Sequence, residues 1–223
     1  NIEGQHKTYK EELNKVVKKQ TELNKLLGEL NILKEAEIKK ATETKKTQQA
    51  SANGDDNDYS QMQTTDVRNQ KFAKDLNLDV KKIGSSTDGV QIIKYKGAKT
   101  IVSLKSFKVV KNFGTYYDPI YKIKLFNESI VLKATDSESK VVSVLNGKVV
   151  YAKKNAGMLD NVVIIQHEGG LHTIYAHLDE IAPTLVVGKW VQKGSVVGRV
   201  NDSLSFQVTK DSAHIDPKDL FNI

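Results

Sequence analysis

Histidine is the side chain best suited here to hold a metal ion or move a proton near neutral pH, because the chain contains five histidines and no cysteine. Four of the five lie in the C-terminal half, at His167, His172, His177 and His214. A catalytic zinc needs about three nitrogen or carboxylate donors around an open position for water. His172 and His177 are five positions apart in one expected strand, so alternation turns them to opposite faces. His167 ends a different strand and His214 belongs to a closing turn. His167, His172 and His214 are therefore read as hydrogen-bonded or surface histidines rather than as ligands. In the run Ser203 to Val208, Leu204, Phe206 and Val208 share one face and should enter a core, while Ser203, Ser205 and Gln207 share the other. The same alternation places Thr173, Tyr175 and His177 on the open face of their strand, with Ile174 and Ala176 inward.

The elements that must position these residues fall into three parts. Residues 1–48 carry Tyr9, Leu13, Val16, Leu23, Leu27 and Leu30 at the alternating three-and-four spacing of a coiled-coil seam, with Gln20 as a polar interruption. Such a helix wants a partner, and the sequence leaves open whether it is one arm of a hairpin or a dimerising segment. Residues 49–85 comprise a polar linker, from about Thr47 to Asp58, and a short helical segment from about Tyr59 to Leu76. That segment bears Met62, Val67, Phe72 and Leu76, and it is either a strut or a detachable regulatory arm. Residues 86–223 form a β domain: short runs rich in Val and Ile alternate with Gly, Asn and Asp turns, which argues for an all-β sandwich or folded sheet rather than βαβ units. Val162 to Ile165 is apolar throughout and reads as a central strand. The expected class is a mainly β domain preceded by an α-helical coiled-coil segment, α+β overall.

Composition narrows the function classes. A length of 223 residues and a 39% hydrophobic share suit one well-cored domain with an extension. No run approaches the ~20 apolar residues of a membrane helix, and with Asn1 first, any signal or anchor is expected upstream. The formal charge of +7 is spread among Glu and Asp without an aromatic-interleaved basic patch, which speaks against nucleic acid. Neither a P-loop nor a dinucleotide fingerprint is present.

Several pieces of the β region, in order, resemble the LytM or lysostaphin-type peptidase domain. They are Phe113-Gly114, Leu145 to Ala152, Val162 to His167, Thr173 to Leu178, and Val187-Gly188-Lys189 through Lys193-Gly194 to Val197-Gly198. Together they cover most of Leu104 to Phe221. In the active family one strand supplies His-x-Gly-x-Asp and a late strand supplies His-x-His. The resemblance places Phe126 at the first His position, Ile130 at the Asp position, and Ser203 and Ser205 at the paired histidines, leaving only His177 of the catalytic set. Neutral serine hydroxyls are poor zinc ligands and cannot act as a general base near neutral pH.

The resemblance therefore implies a pseudo-peptidase without metal or cofactor. Its groove, formed by Phe126, Ile130, Tyr175, His177, Ser203, Ser205 and Gln207, would serve as a partner surface. A degenerate domain of this kind behind a coiled coil is similar to the EnvC-like class of murein-hydrolase activators. That class implies a periplasmic protein which binds a zinc N-acetylmuramoyl-L-alanine amidase, is worked by a membrane complex through the coiled coil, and acts in cell division or wall remodelling. The alternatives are a passive scaffold that binds peptidoglycan or a hydrolase, and a zinc endopeptidase with unusual ligands.

Overall fold

Tyr9 and Leu13, the first members of the apolar seam, find their partner in a β-hairpin. The computed structural model describes residues 2–33 and 91–223, which divide into two compact units. The segment carrying Met62, Val67, Phe72 and Leu76 lies outside the described residues. In the first unit, α1 (Ile2–Glu29) packs with the hairpin of β2 (Gly114–Asp118) and β3 (Ile123–Asn127). Leu13, Tyr121 and Leu125 form a small buried cluster, with Tyr9 and Tyr116 against it. The Tyr9 ring stacks on Tyr121 at 5.6 Å, and its hydroxyl donates to Asp118 Oδ2. Asp118 Oδ1 accepts the amides of Ile120 and Tyr121, so one buried carboxylate shapes the hairpin turn and anchors the helix. Burial beside that carboxylate raises the Tyr9 pKa and keeps the phenol protonated.

The polar interruption also has a task, since Gln20 Nε2 donates to the Phe126 carbonyl at 2.7 Å. At the C-terminus Asn31 adopts φ 57°, Asn31 N–H reaches Gly28 O and Ile32 N–H reaches Leu27 O. This is a Schellman stop with Asn in the left-handed position. The seam is thus a single amphipathic helix, of which the Tyr9–Leu13 half is covered by a hairpin rather than by a second helix. None of the described helices is long and apolar enough to cross a membrane.

The second unit is all antiparallel β. Its strands are β1 (Phe107–Lys111), β4 (Ser129–Ala134), β5 (Ser139–Val142), β6 (Gly147–Lys153), β7 (Asn161–Gln166), β8 (Leu171–Leu178), β9 (Glu180–Ile181), β10 (Trp190–Val191), β11 (Val196–Val200), β12 (Ser203–Lys210) and β13 (Ala213–Ile215). The large sheet runs β1-β4-β12-β8-β7-β6-β10, with β13 also on β12, and a small sheet runs β5-β11-β9. Side chains from both sheets, including Ile130, Leu132, Val163, Ile165, Leu204 and Phe206 from one and Val141, Val197 and Val200 from the other, make one core. Val162 to Ile165 are buried on both faces, as an interior strand requires.

Gln91 to Tyr95 contributes one bridge, Ile92 to His214, and Thr100 to Leu104 forms no strand. The supposed closing turn at His214 is instead β13, joined to β12 by a two-residue turn in which Asp211 and Ser212 both take positive φ.

Gly147 shows why the turn ahead of β6 tolerates no side chain. A Cβ there would stand 2.4 Å from the Gln166 carbonyl oxygen, which the sheet holds in place. Gly147→Ala is accordingly expected to lower the unfolding free energy by ~2 kcal/mol in urea titration, the range for overpacking against backbone. An unchanged midpoint would show that the β6–β7 contact is loose.

Candidate functional site

The site is set by the pairing of β12 with its two neighbours. On one side Leu204 opposes Leu132, Ser205 opposes Val131, Phe206 opposes Ile130 and Gln207 opposes Ser129. On the other, Ser205 opposes Ala176, Phe206 opposes Tyr175 and Gln207 opposes Ile174. Residues directly opposed in an antiparallel pair project to the same face. Ile130, Tyr175 and Phe206 therefore share the core side, and the Tyr175 and Phe206 rings meet at 5.2 Å. Ser205 shares its face with Ser129, Val131, Ile174 and Ala176, and Ser129 Oγ and Ser205 Oγ are hydrogen-bonded at 3.1 Å.

This register corrects several assignments. Tyr175 is fully buried, on the face opposite Ser205, and Ile174 and Ala176 take the side expected for it. Ile130 is likewise fully buried in the core. Gln207 lies on the Ser205 face but is only 1% exposed. Phe126 is buried in the first unit, outside the β domain that carries the serines. Of the seven expected groove residues, His177, Ser203 and Ser205 remain partly exposed. A one-residue error in strand phase reverses every side chain, which is why alternation within each strand was right while the relation between strands was not. The β4 residue beside Ser205 is Val131 rather than Ile130. Four residues before it, Asn127 Nδ2 donates to the Asn112 carbonyl.

His177 does not follow the alternation either. Val163 opposes Tyr175 while Asn161 opposes Leu178, so β8 holds one extra residue there, and His177 takes φ 61° in the bulge. Its Nδ1 meets Asp160 Oδ2 at 2.9 Å. Asp160 also has positive φ, at 57°. Two non-glycine residues in left-handed conformations thus hold an imidazole–carboxylate pair at the surface, a costly arrangement that clusters at functional sites. Asp160, in the turn before β7, went unnoticed in the sequence because nothing there reveals that it meets His177. Among the described residues no three His, Asp or Glu side chains are grouped as a metal site would need.

His167, His172 and His214 are structural. With His167 Nδ1–H donating to the Asn146 carbonyl at 2.7 Å, Nε2 accepts from the Thr173 hydroxyl at 2.8 Å. Thr173 Oγ1 lies 3.2 Å from the Tyr175 hydroxyl, which also receives the Val144 amide. The chain runs from the Asn146 carbonyl to the Val144 amide, and each member has a partner. Burial lowers the pKa of His167 and His172 against the opposing pull of backbone carbonyls at Asn146 and Gly170. Burial alone brings His214 down to about 4.

Residues 126–217, fewer than half of the chain, match the model of Peptidase family M23. Among solved structures, Helicobacter pylori Csd3 is 25% identical with a TM-score of 0.51, covering 57% of this chain and 36% of that one. This chain therefore spans about a third of the length of Csd3. The SpoIIQ–SpoIIIAH pore-forming complex gives 22% identity, a TM-score of 0.47 and coverage of 56% and 92%. A zinc-containing peptidase from Vibrio cholerae gives 20%, 0.46, 56% and 41%. No curated protein sequence matches.

Two outcomes follow from the buried polar chain and the core ring. Because the folded state keeps these imidazoles neutral, it binds fewer protons than the unfolded chain. Their stabilisation is complete above the ordinary histidine pKa of ~6.5 and is lost as pH falls toward 4. For His214 alone the loss is about 3 kcal/mol. Urea midpoints should fall steadily from pH 7 to pH 4, and a flat profile would contradict the burial. Tyr175→Ala, which empties a core site, should cost ~4 kcal/mol of stability in the same assay. Near-wild-type stability would return Tyr175 to the surface.

Proposed function

We propose that this chain is a non-catalytic activator of a cell-wall amidase, working through the polar face of its M23-type domain. One observation supports the reading: across the β4–β12 pair Ser205 stands opposite Val131, in the two strands from which the resemblance draws its donors. Ser203 on the same strand and Asn127 four residues before Val131 complete a donor set with no strong zinc ligand. Without metal the domain can neither lower the pKa of a bound water nor polarise a peptide carbonyl.

The face around Ser129, Ser203, Ser205 and His177 keeps the fold and position of a peptide groove. In this reading it takes a helix or loop of a zinc N-acetylmuramoyl-L-alanine amidase. Activation needs only tighter binding to the partner's active conformation than to its resting one. His177, held by Asp160, supplies a fixed polar contact at the rim. The setting is the periplasm, with a membrane complex acting through α1, and the partner carries the zinc and cuts the wall.

The test combines three measurements on the full chain. Elemental analysis should find no stoichiometric zinc, and labelled murein should remain intact with the chain alone. A cognate amidase should release label faster in its presence, with Ser205→Arg reducing that stimulation about tenfold, the equivalent of ~1.4 kcal/mol of binding. Chelator-sensitive cleavage by this chain alone would overturn the reading in favour of an endopeptidase. Binding to murein without stimulation would leave only a scaffold.

A further inference from the structure

A second open feature lies at the other end of the β domain. Trp190 opposes Lys148 across β10 and β6, Lys148 opposes Gln166, and Gln166 opposes His172. Along β7, Gln166 is five residues from Asn161, beside the His177 bulge, a separation of ~17 Å. At the Gln166 end is a cleft of about 1410 Å³, walled on one side by the segment Ile93 to Gly97 and on the other by the β6–β10 edge.

Trp190 is 74% exposed, with the Lys148 ammonium 5.9 Å from its ring centre. Lys94, Lys96, Lys148 and Lys210 line the cleft against one carboxylate, Glu168. Among the described residues none of the four lysines has a carboxylate partner. The backbone leading to Trp190 is tied onto β6, because Val149 N–H donates to Lys189 O and Gly188 N–H to Val149 O.

We propose that this cleft binds an acidic glycan, independently of the amidase reading. A large aromatic face left in water on a rigid edge is an unused contact surface. The C–H groups on one face of a pyranose ring suit it, being weakly positive against the electron-rich π face. The lysines then meet carboxylates carried along the polymer, and the Gln166 amide meets hydroxyl groups. An acidic peptide matches the charge but leaves the ring without a flat partner. Single-stranded nucleic acid favours several aromatics for successive bases, whereas one exposed tryptophan offers a single stack.

The chain contains one tryptophan, so its intrinsic fluorescence reports this cleft directly. The probe is a hyaluronan decasaccharide, which alternates uronic acid with N-acetylglucosamine, titrated into the full chain at low salt. Saturable change in Trp190 emission is expected. Trp190→Ala, followed by calorimetry, and the pair Lys148→Ala with Lys210→Ala should each weaken binding about tenfold or more. Both variants should keep the wild-type urea midpoint, since the altered side chains lie at the cleft surface. Affinity should also fall as ionic strength rises past 0.1 M, where charge interactions are screened beyond about 10 Å. Equal or tighter binding of poly-glutamate or oligo-deoxythymidine would overturn the glycan assignment, and hyaluronan binding unaffected by the Trp190 and Lys variants would overturn the site. Ser205→Arg should leave hyaluronan binding intact, so failure here and failure of the amidase reading are distinguishable.

Discussion

Strand β12 is hydrogen-bonded along both edges, to β4 over Ser203 to Gln207 and to β8 over Ser205 to Lys210, and the rest of the β domain depends on that double registration. A strand paired on both sides cannot slip by one residue without turning Leu204, Phe206 and Val208 out of the core and bringing Ser203, Ser205 and Gln207 into it. Burial of the apolar row is therefore what holds the polar row in place. Phe206 sits at the junction, facing Ile130 and Tyr175 along the sheet and meeting the Phe221 ring at 5.7 Å in a tilted pair. The site inherits its geometry from a packing constraint that has nothing to do with chemistry.

That separation lets side chains on the polar face vary while the architecture is kept. The residues opposite the core face are free to change so long as they do not disturb the pairing, and here they include Ser129, Val131, Ser203 and Ser205. Buried polar groups needed for structure are kept instead on the inner side: the path from His167 through Thr173 to Tyr175 and Val144 is closed by hydrogen bonds at both ends. A polar chain of that kind rigidifies the interior when all its members are satisfied. The two polar systems thus do different work, one specifying the core and the other lining the open face of the sheet.

The helical unit shows the same principle at smaller scale. A three-and-four apolar seam states that a helix needs cover, and a hairpin closed by Asp118 can provide it as well as another helix can. Gln20 looks like a fault in the seam, yet its amide donates to the carbonyl of Phe126. Seam periodicity is a demand for burial, and it does not specify the partner.

By itself the sequence determined the β-rich character of the C-terminal part of the chain, the interior placement of Val162 to Ile165, and the inward row Leu204, Phe206 and Val208. Those features follow from period and propensity within single strands, which are local properties. The ordered motif pieces from Leu145 to Gly198 were legible for a similar reason, because turns such as Gly147 admit no side chain. Tertiary structure alone decided that Tyr175 faces Phe206 rather than Ser205, that Val131 rather than Ile130 stands beside the serines, and that an extra residue in β8 sets His177 against Asp160. Each of these depends on which residue of one strand lies opposite which residue of another. Cross-strand register is settled by the joint burial of several strands, and no single stretch of sequence contains it.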